Sequence, residues 1–362
     1  MKVLLVNSLT PQYGSTLRAR NIYHALKELK HSVTYLESDS DIKAGDVISV
    51  RQWPNVMGYL LASLVRACHC LFSAYELCII QKITPLTFLA ILAAKIRGKK
   101  LILDWDDLDA EFQTTPFRKY LTSLIERRVP KYADAVMTHN AYLKDYALSV
   151  GCKNVFILPQ GVDTQIFDPA NYDRQALRRE KKLDQKIVLA YLCTFTQGGS
   201  RDIDVIFEAV ARLSKECSGL HFLLIGAGPL QKEHEEKLRK AGFCCDYSIT
   251  GFVSQKEAAQ YLSIADLCLV YMRDDLGNRM RVSLKTLEYL AMEKKIIGYL
   301  SGETKDRLGM YCTLIEPNVE SFSRAIIQTI RGKDFSNRGA REYILKNYSL
   351  ESMKKSLIVL IK

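Results

Sequence analysis

Short unbroken apolar runs alternate along this chain with longer stretches whose apolar positions recur every three or four residues. "KVLLVNS" predicts a buried strand and "STLRARNIYHALKELK" an amphipathic helix. "HSVTYLE" reads as strand, "PNVMGYLLASLVRACHCLF" as helix, "YELCIIQ" as strand, "TPLTFLAILAAKIRG" as helix and "KKLILDW" as strand. A helix from about Pro116 to Arg128 and the strands "ADAVMTH" and "NVFILPQG" complete this half. The pattern then restarts. "KIVLAYLCTF", "HFLLIGAG", "YSITGFV", "DLCLVYM" and "KIIGYLS" read as strands, separated by the helices "DIDVIFEAVARLSKE", "LQKEHEEKLRKAG", "QKEAAQYLSIA" and "SLKTLEYLAMEK". Strict strand–helix alternation with continuously apolar strands predicts parallel sheets covered on both faces.

The chain is therefore expected to be α/β, with two doubly wound Rossmann-like halves joined near "PQGVD". Its 362 residues exceed what one hydrophobic core usually serves. The expected divisions are residues 1–160, residues 161–336, and terminal helices over 337–362 packing back on the first half. Ligands in such sheets bind at the carboxyl ends of the strands, in the cleft expected between the two halves.

Charge narrows the partners. The net charge of +11 suits an anionic partner. No zinc-finger spacing, RNP-like run or basic arm points to nucleic acid. The ten cysteines include no C-x-x-C pair, so reduced thiols in a cytoplasmic setting are expected. The opening reads as a strand rather than a secretory leader. The greasy stretch from Met57 to Ile96 is broken by Arg66, His69, Glu76 and Lys82, too often for a spanning helix. The basic segment "FRKYLTSLIERRVPKY" can instead touch anionic lipid or simply face solvent.

Candidate chemistry concentrates at loops that open helices. In "GNRMRVSLKTLEYLAM", Arg279, Arg281 and Lys285 crowd a helix start and Glu288 sits one turn inside. Cations there oppose the helix dipole, and an arriving phosphate would relieve the conflict with the N–H groups from Ser283 onward. "TQGGSR" places Gly198, Gly199 and Arg201 ahead of a helix, a second anion cradle. "PQYGS" opens the first helix in the same way with Gly14 and Ser15. "LLIGAGPLQ" supplies Gly226 and Gly228 of a dinucleotide fingerprint, but Gln231 stands where a small residue is needed, so a tight turn is the better reading. "LDWDDLDAEF" offers Asp104, Asp106, Asp107 and Asp109. They can hold a divalent metal, face an acceptor hydroxyl as base or hydrogen-bond partner, or cap the next helix, with Asp109 the best cap. His24 and His139 read as isolated, satisfied histidines.

The stretches "PQGVDTQIFDP", "LLIGAGP", "ITGFVSQKEAAQYLSIADLCLV" and "SLKTLEYLAMEKKIIG", in this order over nearly the whole chain, resemble the GT-B glycosyltransferases of the retaining family 4 type. The resemblance implies a donor substrate, a nucleotide-diphosphate sugar, with no metal or other cofactor. It places Glu288 on the nucleotide's ribose, Arg201 and Lys285 on the diphosphate, and the backbone of Gly251, Phe252 and Val253 along the base. Asn278 and Arg279 would help to hold the sugar. This chain departs from the family at Met280, where the first glutamate of a Glu-x7-Glu motif belongs. It departs again at Thr196, near the place of a companion arginine, and at Asp106, which stands for a histidine.

The expected activity is thus metal-independent, retaining sugar transfer to a hydroxyl acceptor, a glycan or lipid-linked cell-envelope precursor. Arg201, Lys285, Glu288 and Asp106 are the expected catalytic set, and an anionic membrane surface is a candidate partner. Two other readings stay open: a catalytically silent sugar-nucleotide-binding or scaffold protein, and a GT-B sugar-nucleotide epimerase.

Overall fold

In a computed structural model, which describes residues 1–11, 13–53, 55–196, 200 and 202–361, seven parallel strands form the first sheet. They are β1 (Lys2–Val6), β2 (Ser32–Ser38), β3 (Val47–Val50), β4 (Leu77–Gln81), β5 (Lys100–Trp105), β6 (Ala135–Thr138) and β7 (Val155–Ile157), in spatial order β3-β2-β1-β4-β5-β6-β7. Helices α1 (Gly14–Glu28), α2 (Val56–Phe72), α3 (Pro85–Ile96), α4 (Pro116–Arg128) and α5 (Ala141–Ser149) connect them.

Strand alternation divides the core. Val3 and Leu5 point to the face covered by α1, where Ala19, Ile22 and Leu26 pack. Leu4 and Val6 point to the opposite face, against Ala62 and Cys70 of α2, Ala90 and Ala94 of α3 and Ile125 of α4. Crossovers through α2, α3 and α4 all run from β3 toward β6, whereas α1 runs the other way. Right-handed crossovers therefore put α1 on one side and α2–α4 on the other.

The second sheet has six strands, β8 (Ile187–Leu192), β9 (Leu220–Ile225), β10 (Asp246–Ile249), β11 (Leu267–Tyr271), β12 (Lys295–Tyr299) and β13 (Thr313–Leu314), ordered β10-β9-β8-β11-β12-β13. Its helices are α6 (Arg174–Glu180), α7 (Ile203–Glu216), α8 (Gln231–Lys240), α9 (Gln255–Ile264), α10 (Leu276–Arg279), α11 (Leu284–Ala291), α12 (Gly302–Leu308), α13 (Val319–Gly332) and α14 (Ala340–Asn347). The last helix is α15 (Leu350–Ile361). Two Rossmann-like units result, as the alternation predicts.

The first unit comprises Met1–Gly161, Met280–Val282 and the chain from Leu350 onward; the second comprises Val162–Arg279 and Ser283–Ser349. The terminal segment is divided between them. Helix α14 stays with the second unit, and α15 joins the first, burying Met353 and Leu357 among the side chains of α1. Helix α13 was not read from the sequence, yet it buries Phe322 and Ile326 in the second core. Only these two of its large apolar side chains are fully buried, so its periodic signal is short.

Candidate functional site

In each sheet the strand order reverses once, and loops leave the two strands there in opposite directions, opening a crevice at their carboxyl ends. In the second sheet the reversal lies between β8 and β11. The loop after β11 leads through α10 to the start of α11. There Lys285 Nζ lies 3.3 Å from the Tyr191 hydroxyl and 4.3 Å from the centre of that ring, at the end of β8. Glu288 is one turn further along α11 and partly buried. Burial pushes its carboxyl up to about 8, against the opposing pull of Lys285. Its side chain makes no hydrogen bond among the described residues.

The loops after β8 and β11 are tied together by Asp202, a residue whose role the sequence reading missed. Its carboxylate pairs with Arg273 Nε at 3.0 Å, accepts from the Arg273 N–H at 3.3 Å and lies 3.4 Å from Asn278 Nδ2. Asn278 is fully buried, also donates to the Arg273 carbonyl at 2.9 Å, and leaves its Oδ1 without a hydrogen-bond partner among the described residues. Ser283 is buried, and its N–H donates to Thr304 Oγ1 at 3.1 Å. Arg279 turns elsewhere: it is exposed and forks onto Asp274 at 2.6 and 2.7 Å.

The expected cradle residues Gly198, Gly199 and Arg201 lie outside the described residues. Beside them, Ser200 donates to the Thr196 carbonyl at 2.7 Å and lies 2.8 Å from His234 Nε2.

The remaining glycines serve backbone approach. Gly226 has φ +137°, and a Cβ there would meet the Cys193 carbonyl oxygen at 1.9 Å. Its N–H donates to Thr250 Oγ1 at 3.0 Å, and an isolated bridge joins it to Gly251, which has φ +77°. The turn thus brings "GAG" beside "GFV", where Phe252 is 73% exposed and Val253 partly buried.

In the first sheet the reversal lies between β1 and β4. Lys82 follows β4 directly, buried and in the left-handed region at φ +70°. Its ammonium reaches Asp106 at 2.9 Å, Asp107 at 2.8 Å and Asp109 at 3.0 Å. Asp109 therefore serves Lys82 rather than capping the short helical turn Asp109–Phe112, a correction to the capping expectation. Asp104 is set apart by Arg18, whose guanidinium forks onto it at 2.8–3.1 Å with both side chains buried. Ser15 Oγ lies 3.4 Å from Asp107 Oδ2, while Gly14 is exposed at the start of α1.

Burial raises Asp106 to about 7 and Asp109 to about 6, although Lys82 pulls both down. Asp107 is also penalised by burial, but Lys82, Arg281 and His139 hold it below its ordinary value. Glu126 accepts from the Asp109 N–H at 2.6 Å, and burial with the nearby Asp109 charge pushes it up to about 9.

His139 is less isolated than its sequence position suggests. Its Nε2 accepts from the Val282 N–H at 2.9 Å, and Asn140 Nδ2 donates to the Met280 carbonyl at 2.7 Å. Burial, helped by Arg18, lowers His139 to about 3. Met280 packs against the first core, so the residue standing where the family places a glutamate is an apolar contact here. Arg281 lies over the Phe112 ring at 5.3 Å.

Two Rossmann-like units of this topology define the GT-B fold. Residues 186–331, in the second unit apart from Met280–Val282, match the family described as Glycosyl transferases group 1. No curated protein matches the chain. Among solved structures it is similar to sucrose-phosphate synthase (tll1590) from Thermosynechococcus elongatus, with TM-score 0.79 and 14% identity over 100% of this chain and 98% of that one. It is similar to Anabaena Alr3699/HepE in complex with UDP-glucose, with TM-score 0.78 and 13% identity over 100% and 99%. A putative UDP-N-acetylglucosamine 2-epimerase from Listeria monocytogenes also shares the fold, with TM-score 0.64 and 14% identity over 100% and 95%. At such identities the likeness is one of fold.

Proposed function

We propose that this protein is a metal-independent, retaining glycosyltransferase that moves a sugar from a nucleotide-diphosphate sugar to a hydroxyl acceptor, a glycan or a lipid-linked cell-envelope precursor. It would work in the cytoplasm, at the inner face of the membrane. The observation that carries the reading is the placement of Lys285 and Glu288 one turn apart on α11, beside the strand reversal and inside the segment matched to Glycosyl transferases group 1.

Glu288 accepts hydrogen bonds from the ribose hydroxyls and so fixes the register of the phosphates. Lys285, Arg201, the N–H groups of Gly198 and Gly199 and the start of α11 after Ser283 meet the charge that grows on the departing β-phosphate; the Ser283 N–H itself is taken by Thr304. One such donor is typically worth about 3 kcal/mol or more in the transition state. The bond from the sugar's anomeric carbon to the phosphate oxygen breaks, a bond to the acceptor oxygen forms on the same face, and the acceptor's proton leaves on the departing phosphate. Gly226, Gly251, Phe252 and Val253 line the base, and Asn278 serves the sugar, while Arg279, which the resemblance set beside it, is engaged by Asp274. Gly14 and Ser15 open α1 as a further anion cradle. Asp106, which the sequence reading set at the acceptor, is buried on Lys82 and is given no role at the acceptor.

Met280 favours a second reading, a catalytically silent binder of sugar nucleotides, because an apolar contact replaces a sugar-reading carboxylate. Release of free nucleotide from the donor separates the two. Turnover or slow donor hydrolysis supports the transferase; donor binding with neither supports the silent binder. One-substrate conversion without an acceptor would mark an epimerase instead.

A further inference from the structure

Helices α2, α3 and α4 cover one side of the first sheet, and their outward faces are built unlike ordinary solvated surfaces. On α2, Val56, Leu60, Leu64 and Phe72 recur at multiples of four residues and are 74%, 51%, 50% and 80% exposed. Met57, Leu61 and Val65 run beside them, also exposed. Helix α3 continues the surface with Phe88, Leu92 and Ile96, again four residues apart. Helix α4 adds Phe117 and Tyr120. Helical spacing drifts by about 40° at each four-residue step, so each set covers one broad outward face.

The charges are equally one-sided. The sequences of α2 and α3 contain no acidic residue, and Arg66 of α2 is fully buried. Helix α4 contains one acid, Glu126, which is buried, while Arg118, Arg127 and Arg128 are exposed. Just ahead of α2, the exposed Trp53 ring carries the Arg51 guanidinium at 5.1 Å from its centre. An apolar face with cations and aromatics beside it, on helices that expose no carboxylate, is complementary to lipid tails beneath anionic headgroups. No described helix is long and apolar enough to cross a membrane.

We propose that the outward faces of α2, α3 and α4 form a docking surface for an anionic lipid bilayer, with the α2 face entering the headgroup–acyl boundary and the arginines of α4 on the headgroups. The surface stands on geometry in the first unit. It deepens the proposed function by bringing a lipid-linked acceptor to the enzyme, and it rests on that reading only there.

The test is co-sedimentation of the full chain with vesicles of phosphatidylcholine alone, or with about 30 mol% phosphatidylglycerol. The chain should pellet with the anionic vesicles. About 0.5 M salt should weaken that binding without abolishing it, because screening leaves the apolar contribution. The variant Leu64→Glu/Phe72→Glu should lower vesicle affinity at least about tenfold, and Arg127→Glu/Arg128→Glu by a similar factor at low salt. Both variants should keep the native melting temperature and the thermal shift given by the nucleotide, which reads the second unit separately. No binding to anionic vesicles overturns the proposal, as does binding unchanged by Leu64→Glu/Phe72→Glu. A self-associated chain that these two substitutions turn monomeric, without vesicle binding, would assign the face to a second copy and also overturn it.

Discussion

Lys82 Nζ lies 2.9 Å from Asp106 Oδ1 in the buried interior of the first unit, and Asp107 and Asp109 close on the same ammonium at 2.8 and 3.0 Å. One cation therefore holds the loop after β5 in place, at the expense of a left-handed backbone at Lys82. Lys82→Met should destabilise the fold by about 3–5 kcal/mol, because it strands buried carboxylates. The folded-state values of Asp106 and Asp109, about 7 and 6, lie above those of an unfolded carboxylate. The folded protein thus binds more protons, and stability falls as pH rises from about 4 to 7. Losing Lys82 strengthens this trend, so urea unfolding should show the variant's deficit shrinking as pH falls from 8 toward 5.

Glu288 should make donor binding pH-dependent. Its carboxyl titrates near 8 in the free protein, and the ionised form is the better acceptor for ribose hydroxyls. Nucleotide affinity measured by calorimetry should rise between about pH 7 and pH 9, within about one unit of that midpoint on either side. Glu288→Gln should flatten the profile. Stability of the free protein should move the other way, falling as pH rises from the ordinary carboxylate range toward 8, since the folded value is the raised one.

Gly226→Ala should unfold at a markedly lower temperature. A methyl group would sit 1.9 Å from the Cys193 carbonyl oxygen at φ +137°, and the atoms it meets are all Cys193 backbone. A cost of roughly 3 kcal/mol or more is expected from strain and displaced backbone. Gly14→Ala, with nothing near its Cβ, is the control and should melt like the native chain.

Asp202→Asn should separate binding from stability. The carboxylate joins Arg273 and Asn278, so its loss frees the loop that leads to Lys285 and Glu288. Donor affinity should fall about tenfold, the scale of one charge-assisted contact, with a small change in melting temperature.

Much of the fold was legible because each buried strand is a continuous apolar run and each covering helix keeps its period. Legibility ended where the signal is short. Strand β3 is four residues long, α5 nine, and α13 fully buries only two of its large apolar side chains. The glycine turn at Gly226 and the lysine–glutamate pair on α11 were readable from local spacing. Lys82 was not, since a lysine after "CIIQ" announces neither its left-handed backbone nor three aspartates from a later loop. His139 looked isolated for the same reason: its partner N–H belongs to Val282, which is remote in sequence. Asp202 was read as the edge of a helix, and its bond to Arg273 is set by the adjacency of β8 and β11.

The most direct test of the central claim is the thermal shift of the native chain and of Glu288→Ala with UDP, GDP, ADP, CMP and dTDP sugars, each with and without EDTA. The account predicts a shift confined to one nucleotide, unaffected by EDTA and lost in Glu288→Ala. A shift that Glu288→Ala leaves intact, or no shift with any of the five, would contradict it.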